Sequence, residues 1–104
     1  MDNQQANEIA TNTFFEIGRA LFNGVSNQPA DVSAEIEFDG QQRASKFANV
    51  LVDGMPVIPS AETITAINEK AAELLNLPEM YKIKSLTVTA TKSGQLNCVP
   101  TYLS

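Results

Sequence analysis

Glu35 and Glu37 are the two carboxylates in this sequence whose spacing could support chemistry. On an extended strand, residues two apart lie on one face, about 6.6 Å from each other. That separation suits paired-carboxylate chemistry such as glycoside hydrolysis. The reaction also needs a deep cleft for the sugar, and a chain of 104 residues has little material to build one. We therefore expect neither catalysis nor metal binding at this pair.

The other residue types also predict a protein that is not an enzyme. The sequence has no histidine, the commonest general base and a common metal ligand. Its one cysteine, Cys98, has no basic neighbour in the sequence that would lower the pKa of the thiol. The glycines at predicted turns are isolated and form no phosphate-binding loop. We expect no catalytic residue, no cofactor and no metal site.

Negative charge is concentrated in the first third of the chain. The net charge is −5, residues 1–39 hold seven acids and one base, and residues 40–104 hold five acids and six bases. This balance argues against nucleic-acid binding, which needs clustered Lys and Arg. Four carboxylates lie in the first predicted strand and its turn: Asp31, Glu35, Glu37 and Asp39. They are the candidate contacts for a basic partner. The alternative is a solvated strand face that opposes aggregation.

Two phenylalanines of the first predicted helix lie outside its apolar stripe. Phe15 and Phe22 are seven residues apart and share one flank of the helix. They could form an exposed aromatic anchor for a partner, because aromatic residues are enriched at interface hot spots. Alternatively, the Gly24–Ala30 loop or a second copy of the chain covers them.

The first half of the chain predicts a helix followed by a β-hairpin. Residues 3–22 place Ala6, Ile9, Ala10, Thr13, Phe14, Ile17 and Leu21 on one helical face. Residues 31–38 alternate apolar and polar, as a half-buried strand does. Asp39-Gly40 indicates a turn in which glycine supplies a positive φ. Residues 43–52 form the returning strand, whose apolar residues on both faces indicate a central strand or one with a bulge.

The second half predicts a second helix and a second hairpin. Residues 55–59 form an extended connection, and Ser60 caps a helix that runs to about Asn76 with Ile64, Ile67, Ala71, Leu74 and Leu75 buried. Residues 82–91 and 96–103 form two strands, the last at a sheet edge because Pro100 cannot donate to a ladder. The chain is thus predicted to be one α+β domain, residues 1–104, in the order α-β-β-α-β-β. Its two-layer sandwich has a four-stranded antiparallel sheet with both helices on one face.

A cytoplasmic protein is the expectation for location. No apolar run approaches the roughly 20 residues needed to cross a bilayer. The first residues have neither the basic nor the apolar region of a signal peptide. A single cysteine excludes an internal disulfide framework and fits a reducing compartment.

The last predicted hairpin carries a resemblance to a known family. Its sequence, Leu-Thr-Val-Thr-Ala-Thr-Lys-Ser-Gly-Gln-Leu-Asn over residues 86–97, is similar to the strand, small-Gly turn and aliphatic-Asn strand start of YezG-like immunity proteins. These proteins, which include Maf-type members, belong to bacterial polymorphic toxin systems. The predicted element order resembles theirs over nearly the whole chain. The final strand departs from the family. In YezG-like proteins this strand tends to alternate aromatic and acidic residues, and of that pattern the present sequence keeps only Tyr102.

The resemblance implies a function for a protein that binds rather than catalyses. A YezG-like immunity protein binds and neutralises a cognate toxin, often a nuclease, inside the producing cell. The implied partner is therefore a basic toxin or nuclease domain, with no direct contact to nucleic acid or membrane. The alternative is a structural or assembly module that self-associates, as a homodimer or a larger assembly, through the Phe15 and Phe22 flank and the strand edge near Pro100.

Overall fold

A five-stranded antiparallel sheet carries two α-helices in the computed structural model, which describes residues 3–26 and 28–103. The elements in chain order are α1 (Asn3–Val25), β1 (Val32–Phe38), β2 (Ala44–Val52), β3 (Met55–Pro56), α2 (Ala61–Ala71), β4 (Ile83–Ala90) and β5 (Leu96–Tyr102). Two 3₁₀ turns, Ala72–Asn76 and Glu79–Tyr81, connect α2 to β4. The α+β class and the antiparallel sheet confirm the prediction. None of the helices in the described ranges is long and apolar enough to span a membrane.

The sheet contains one strand more than the sequence predicts. Its order is β3-β2-β1-β4-β5, and every neighbouring pair is antiparallel. The additional strand, β3, is the first part of the segment predicted as an extended connection. A two-residue turn joins it to β2, with positive φ at Asp53 (50°) and Gly54 (80°), as a tight hairpin requires. The expected four strands are therefore five, and the order is α-β-β-β-α-β-β.

The two helices pack against each other and cover one face of the sheet. Six of the seven residues predicted for the α1 stripe are buried, and Ile9 is partly buried. Facing them, the apolar residues of β1 are buried in strict alternation: Val32, Ala34, Ile36 and Phe38. The periodicity read from the sequence therefore predicts this core correctly.

Helix α2 begins where the sequence indicates and changes geometry before its predicted end. The Ser60 hydroxyl accepts a hydrogen bond from Thr63 N at 3.2 Å, which confirms the N-cap. After Ala71 the backbone tightens into the first 3₁₀ turn. Because a 3₁₀ turn has three residues per turn, the buried stripe shifts in phase. Leu74 stays buried, whereas Leu75 is 42% exposed, so the prediction that Leu75 is buried is wrong.

Two glycines of α1 mark the closest approaches of the helix to its neighbours. A Cβ atom at Gly18 would overlap the Cys98 sulfur of β5. At Gly24 it would overlap the side chain of Thr63, in the first turn of α2. The absence of a side chain at these positions lets α1 lie directly on β5 and on the beginning of α2.

The turn between β1 and β2 differs from the prediction in one respect. The turn is present, closed by a hydrogen bond from Asp39 N to the Arg43 carbonyl at 3.0 Å. The residue with positive φ is Gln42 (57°) and not Gly40. The turn extends from Asp39 to Arg43, so it is longer than a two-residue Asp-Gly turn. The Gln42 side chain is fully buried and hydrogen-bonded, which holds this residue in its positive-φ conformation.

Strand β2 contains the bulge that its sequence indicates. Ser33 of β1 pairs with Leu51 and Glu35 pairs with Ala48, so two residues of β2 oppose Ala34. Asn49, at the bulge, has a φ of 54°. The extra residue explains why β2 lacks a clean apolar alternation.

Strand β5 forms an edge of the sheet, as predicted from Pro100. Thr91 N donates to the Gln95 carbonyl at 2.9 Å, and antiparallel ladders alternate from such a pair onward. Residues 97, 99 and 101 therefore point their main-chain groups at β4, and Leu96, Cys98 and Pro100 point theirs outward. The nitrogen of Pro100, which has no hydrogen, lies on the open side, so no ladder bond is lost.

Candidate functional site

The face of the sheet opposite the helices is uncovered in the described part of the chain. We call it the open sheet face. It is formed by outward-pointing residues of four strands: Ser33, Glu35 and Glu37 of β1, Lys46 and Ala48 of β2, Thr87 and Thr89 of β4, and Asn97, Val99 and Thr101 of β5. Half of these side chains are small and polar, and three are long: Glu35, Glu37 and Lys46. The five residues from β4 and β5 all have short side chains, so this part of the surface offers little steric hindrance to a partner.

Glu35 lies at the centre of the open sheet face. It pairs with Ala48 on one side and with Thr87 on the other, and Thr87 in turn pairs with Val99. These four residues form one row across four strands. The side chain of Val99 is 53% exposed, an apolar group in the same row as the carboxylate. Within residues 3–26 and 28–103, no lysine or arginine nitrogen lies within 4 Å of Glu35.

Glu37, the second carboxylate of this face, has a partner. It sits opposite Lys46 in the β1–β2 ladder, and their charged atoms are 3.9 Å apart. The side chains are 41% and 68% exposed, so solvent screens the pair and it contributes little to stability. Lys46 nevertheless offsets the charge of Glu37. Among the described residues, Glu37 is thus the one predicted acid with an ion pair, and Glu35 has no such partner.

Asp31 holds together two turns at the end of the sheet. Its Oδ1 accepts a hydrogen bond from Lys92 N at 3.0 Å, and its own N–H donates to Asp53 Oδ1, also at 3.0 Å. The Lys92 ammonium lies 3.6 Å from the same Asp53 oxygen. Asp31 therefore connects the β2–β3 and β4–β5 turns, a structural role in addition to the contact role predicted for it.

Asp39 shapes the β1–β2 turn. Its Oδ1 accepts hydrogen bonds from Gln41 N at 2.9 Å and from Arg43 N at 3.1 Å. Two main-chain amides are satisfied by this one carboxylate oxygen, in the manner of an Asx turn. The side chain thus also has a local structural role. Of the four candidate acids, Glu35 is the one for which the described residues provide neither a hydrogen bond nor an ion pair.

Phe15 and Phe22 share a flank of α1 but differ in their surroundings. Phe22 is partly buried and packs against a second, smaller apolar cluster of Ala30, Val32 and Ala90. Phe15 is partly exposed and belongs to neither apolar cluster. The loop and β4 therefore cover part of Phe22, as one of the two interpretations of the sequence expects, whereas Phe15 packs against neither cluster.

The side chain of Cys98, a residue of β5, points toward α1 and lies against Gly18. Burial raises the pKa of its thiol to about 11, although the Gly18 main chain and the Arg19 charge oppose the shift. The thiol is therefore protonated and unreactive near neutral pH. Among the described residues, no three His, Cys, Asp or Glu side chains come together as ligands for a metal ion.

Reasoning from the sequence missed the two residues that most change the description of this site. Lys46 neutralises Glu37 because the register of β1 and β2 brings them together. The alternation of β2 is interrupted by its bulge, so this register could not be derived from the sequence. Gln42 is buried beneath the turn, and a polar residue beside glycine in a turn gives no sign of burial.

Comparison of the chain with protein-family models, with curated proteins and with solved structures gives no match.

Proposed function

We propose that this protein is an immunity-type inhibitor that binds a basic protein partner through its open sheet face. One observation carries the proposal: Glu35 is an uncompensated carboxylate at the centre of an uncovered surface. A lysine or arginine of a partner could pair with it without displacing an existing ion pair. The short side chains of Ala48 and Thr87, which lie on either side of it, favour close approach.

The surroundings of Glu35 support a protein as the partner. Val99 and Ala48 lie in the same row and provide apolar surface on either side of the carboxylate. Energetically dominant contacts of protein interfaces lie near the centre, surrounded by groups that exclude water. A basic side chain bound to Glu35 and apolar groups over Val99 would reproduce this arrangement. The net charge of −5 would also accelerate the encounter with a basic protein.

The resemblance to YezG-like immunity proteins supports a more specific partner, a cognate toxin of nuclease type. Inhibition would follow from occlusion. A carboxylate that occupies the lysines and arginines of a nuclease prevents them from holding phosphates. The protein would act in the cytoplasm of the producing cell and would itself contact neither nucleic acid nor membrane.

The test is the binding kinetics of the purified protein with a basic nuclease domain of a polymorphic toxin. We expect Glu35→Lys to slow association by about tenfold or more at about 50 mM salt, because it reverses the central charge. Glu69→Lys is the matched control. It makes the same change of charge at an exposed position of α2, on the opposite side of the sheet, and should change association much less.

Two results would contradict this proposal. Association that is the same at about 50 and about 500 mM salt would remove the electrostatic mechanism, because a contact steered by exposed charges is screened over this range. Equal effects of the two variants would show that total charge matters and the open sheet face does not.

Self-association is the second candidate, and the exposed apolar residues near β5 favour it. Val99 and Leu103 are each about half exposed (53% and 51%), and Phe15 is partly exposed on the neighbouring helix. Sedimentation of the protein alone would distinguish the two candidates. A stable oligomer that dissociates on Phe15→Ser would support self-association, whereas a monomer at high concentration would contradict it.

A further inference from the structure

A cleft separates the C-terminal half of α1 from the turn between β4 and β5. Its inner part has a volume of about 240 Å³ and is lined by Arg19, Phe22, Asn23, Ala90, Thr91, Gly94 and Leu96. Its outer part shares Phe22, Asn23, Thr91 and Gly94 and extends along the loop that follows α1. The cleft lies near one edge of the sheet. Phe22 is the one candidate partner-binding residue that lines it, and Glu35 lies outside it.

The walls of the inner cleft are held by packing and by hydrogen bonds. Phe22 and Leu96 both pack against the small apolar cluster that includes Ala90, and these three residues form an apolar floor. The turn opposite is fixed by Thr91. Its N–H donates to the Gln95 carbonyl, its carbonyl accepts from Gly94 N, and its hydroxyl lies 2.7 Å from the Ser93 hydroxyl. The cleft is therefore preformed and does not depend on a ligand to shape it.

The charged residues that line this cleft are basic, in contrast to the chain as a whole. The two charged residues among those lining its inner and outer parts are Arg19 and Lys92, whereas the sequence has 12 acids and seven bases. Lys92 is paired with Asp53 at 3.6 Å. Arg19 is exposed and has no carboxylate oxygen within 4 Å in the described part of the chain. A guanidinium without a direct ion pair therefore lies at the rim of an apolar cavity, and Glu16 lines the adjoining surface on its other side.

A guanidinium beside an apolar floor matches one class of small ligand. Arginine binds a carboxylate through two parallel N–H groups, a geometry that adds selectivity to the attraction of charge. Asn23 is one helical turn beyond Arg19, lines the same cleft and can provide a further amide donor. The volume also fits: an apolar cavity of about 150 Å³ accepts benzene, so the inner cleft has room for one ring and a short acidic arm.

We infer that this cleft binds a small monocarboxylate with an aromatic or branched aliphatic body. The apolar body lies on the floor of Phe22, Ala90 and Leu96. The carboxylate pairs with Arg19 and accepts a hydrogen bond from Asn23. This site is separate from the proposed contact at Glu35, so either one can be tested without the other.

An NMR titration of the intact ¹⁵N-labelled protein with 3-phenylpropionate tests the inference. We expect saturable shifts of the amide signals of Phe22, Asn23, Thr91 and Gly94. The neutral probe 3-phenylpropionamide has the same shape without the charge, and its affinity should be lower by about tenfold or more, which corresponds to about 1.4 kcal/mol. Arg19→Gln should weaken binding of the carboxylate to a similar extent. Arg43→Gln, at an exposed arginine far from the cleft, is the control and should leave it unchanged.

Several outcomes would overturn the inference. One is amide shifts that do not saturate by about 20 mM ligand, a concentration far above those at which specific small-ligand sites are half-filled. Another is amide shifts of residues that lie outside the cleft. Equal binding of the two probes, or equal losses in the two arginine variants, would exclude recognition of the carboxylate by Arg19. An N-acetyl tripeptide that ends in phenylalanine and binds much more tightly than 3-phenylpropionate would instead identify the cleft as a site for a peptide C-terminus.

Discussion

The side-chain amide of Gln42 pairs with the main chain of Ile83 in the way that a neighbouring strand would. Its Oε1 accepts a hydrogen bond from Ile83 N at 3.0 Å, and its Nε2 donates to the Ile83 carbonyl at 3.1 Å. Both residues are fully buried. Strand β1 ends at Phe38, before it reaches this part of β4. One side chain from the turn thus completes the hydrogen bonds that β1 does not supply.

Replacing Gln42 by alanine should destabilise the protein by roughly 2–4 kcal/mol. The change leaves two buried main-chain groups of Ile83 without partners, and each such group costs about 1–3 kcal/mol. Gln42→Gly should be less harmful than Gln42→Ala by up to about 1 kcal/mol, because glycine accepts the positive φ at this position. Urea unfolding measures both variants. If both remain within about 0.5 kcal/mol of the native protein, as typical surface substitutions do, the pairing is not important for stability.

Replacing Gly18 by alanine should destabilise the protein by roughly 1–3 kcal/mol, the usual range for overpacking. The new methyl group would overlap the Cys98 sulfur, whereas Leu96 and Val88 are 3.4 Å away and need to move little. The double variant Gly18→Ala with Cys98→Ala removes the overlap and should recover most of the loss, helped by the higher helix propensity of alanine. Chemical denaturation of the two single variants and the double variant gives the coupling between the sites.

Gly40→Ala is the control for that experiment, because a Cβ at Gly40 would meet no atom within 4 Å. It should leave the free energy of unfolding nearly unchanged. Strictly additive effects of Gly18→Ala and Cys98→Ala would contradict the close approach of α1 to β5.

The reactivity of Cys98 should depend on pH in a way that reveals its burial. Burial raises the pKa of the thiol from 9.0 to about 11, and only the thiolate is alkylated. The alkylation rate of the folded protein by iodoacetamide should therefore rise through pH 11, whereas that of the urea-unfolded chain should rise near pH 9. A folded-state rate that reaches its plateau by pH 9 would contradict burial of the thiol.

The same shift links Cys98 to stability at high pH. Because the pKa is higher in the folded protein, the neutral thiol contributes its stability fully below about pH 9, and that contribution is lost as the pH rises toward about 11. The difference in unfolding free energy between the native protein and Cys98→Ala isolates it. This difference should be constant up to pH 9 and should decrease above it.

Replacement of Asp31 and replacement of Glu35 should have clearly different effects on stability, although Asp31 directly precedes β1 and Glu35 lies within it. Asp31→Ala removes the acceptor for Lys92 N and should lower the free energy of unfolding by about 1 kcal/mol. Glu35→Ala removes an exposed side chain that no described residue contacts by a hydrogen bond, and should change it by less than about 0.5 kcal/mol. Thermal unfolding of the pair tests this. A large loss for Glu35→Ala would indicate an unrecognised structural role.

The elements with clear periodicity could be predicted from the sequence. The stripe of α1, the alternation of β1, the Ser60 cap and the edge position of Pro100 each depend on local spacing or on the chemistry of one residue. Strand β3 could not be predicted in this way. It has two residues, one of them proline, and its pairing depends on the turn geometry of Asp53 and Gly54.

The candidate site could be predicted only in outline. Alternation correctly placed Glu35 and Glu37 on the face away from the helices. The sequence could not show that Lys46 neutralises one of them, because that depends on the β1–β2 register, nor that Asp31 and Asp39 are engaged by main-chain amides of turns. The sequence gives the number of carboxylates, and the fold determines how many of them remain without an ion pair or a hydrogen bond.

Both edges of the sheet are poor templates for growth. At one edge, β3 pairs only with Leu51 and Val52, and the remainder of β2 is interrupted by the bulge at Asn49; at the other edge, the nitrogen of Pro100 faces outward without a hydrogen. A foreign strand aligned with either edge would lose register or leave a carbonyl unpaired, so stacking of copies into fibrils is disfavoured from both sides. The protein should therefore resist fibril formation during concentration and storage, and a partner that binds by adding a regular strand to either edge is disfavoured.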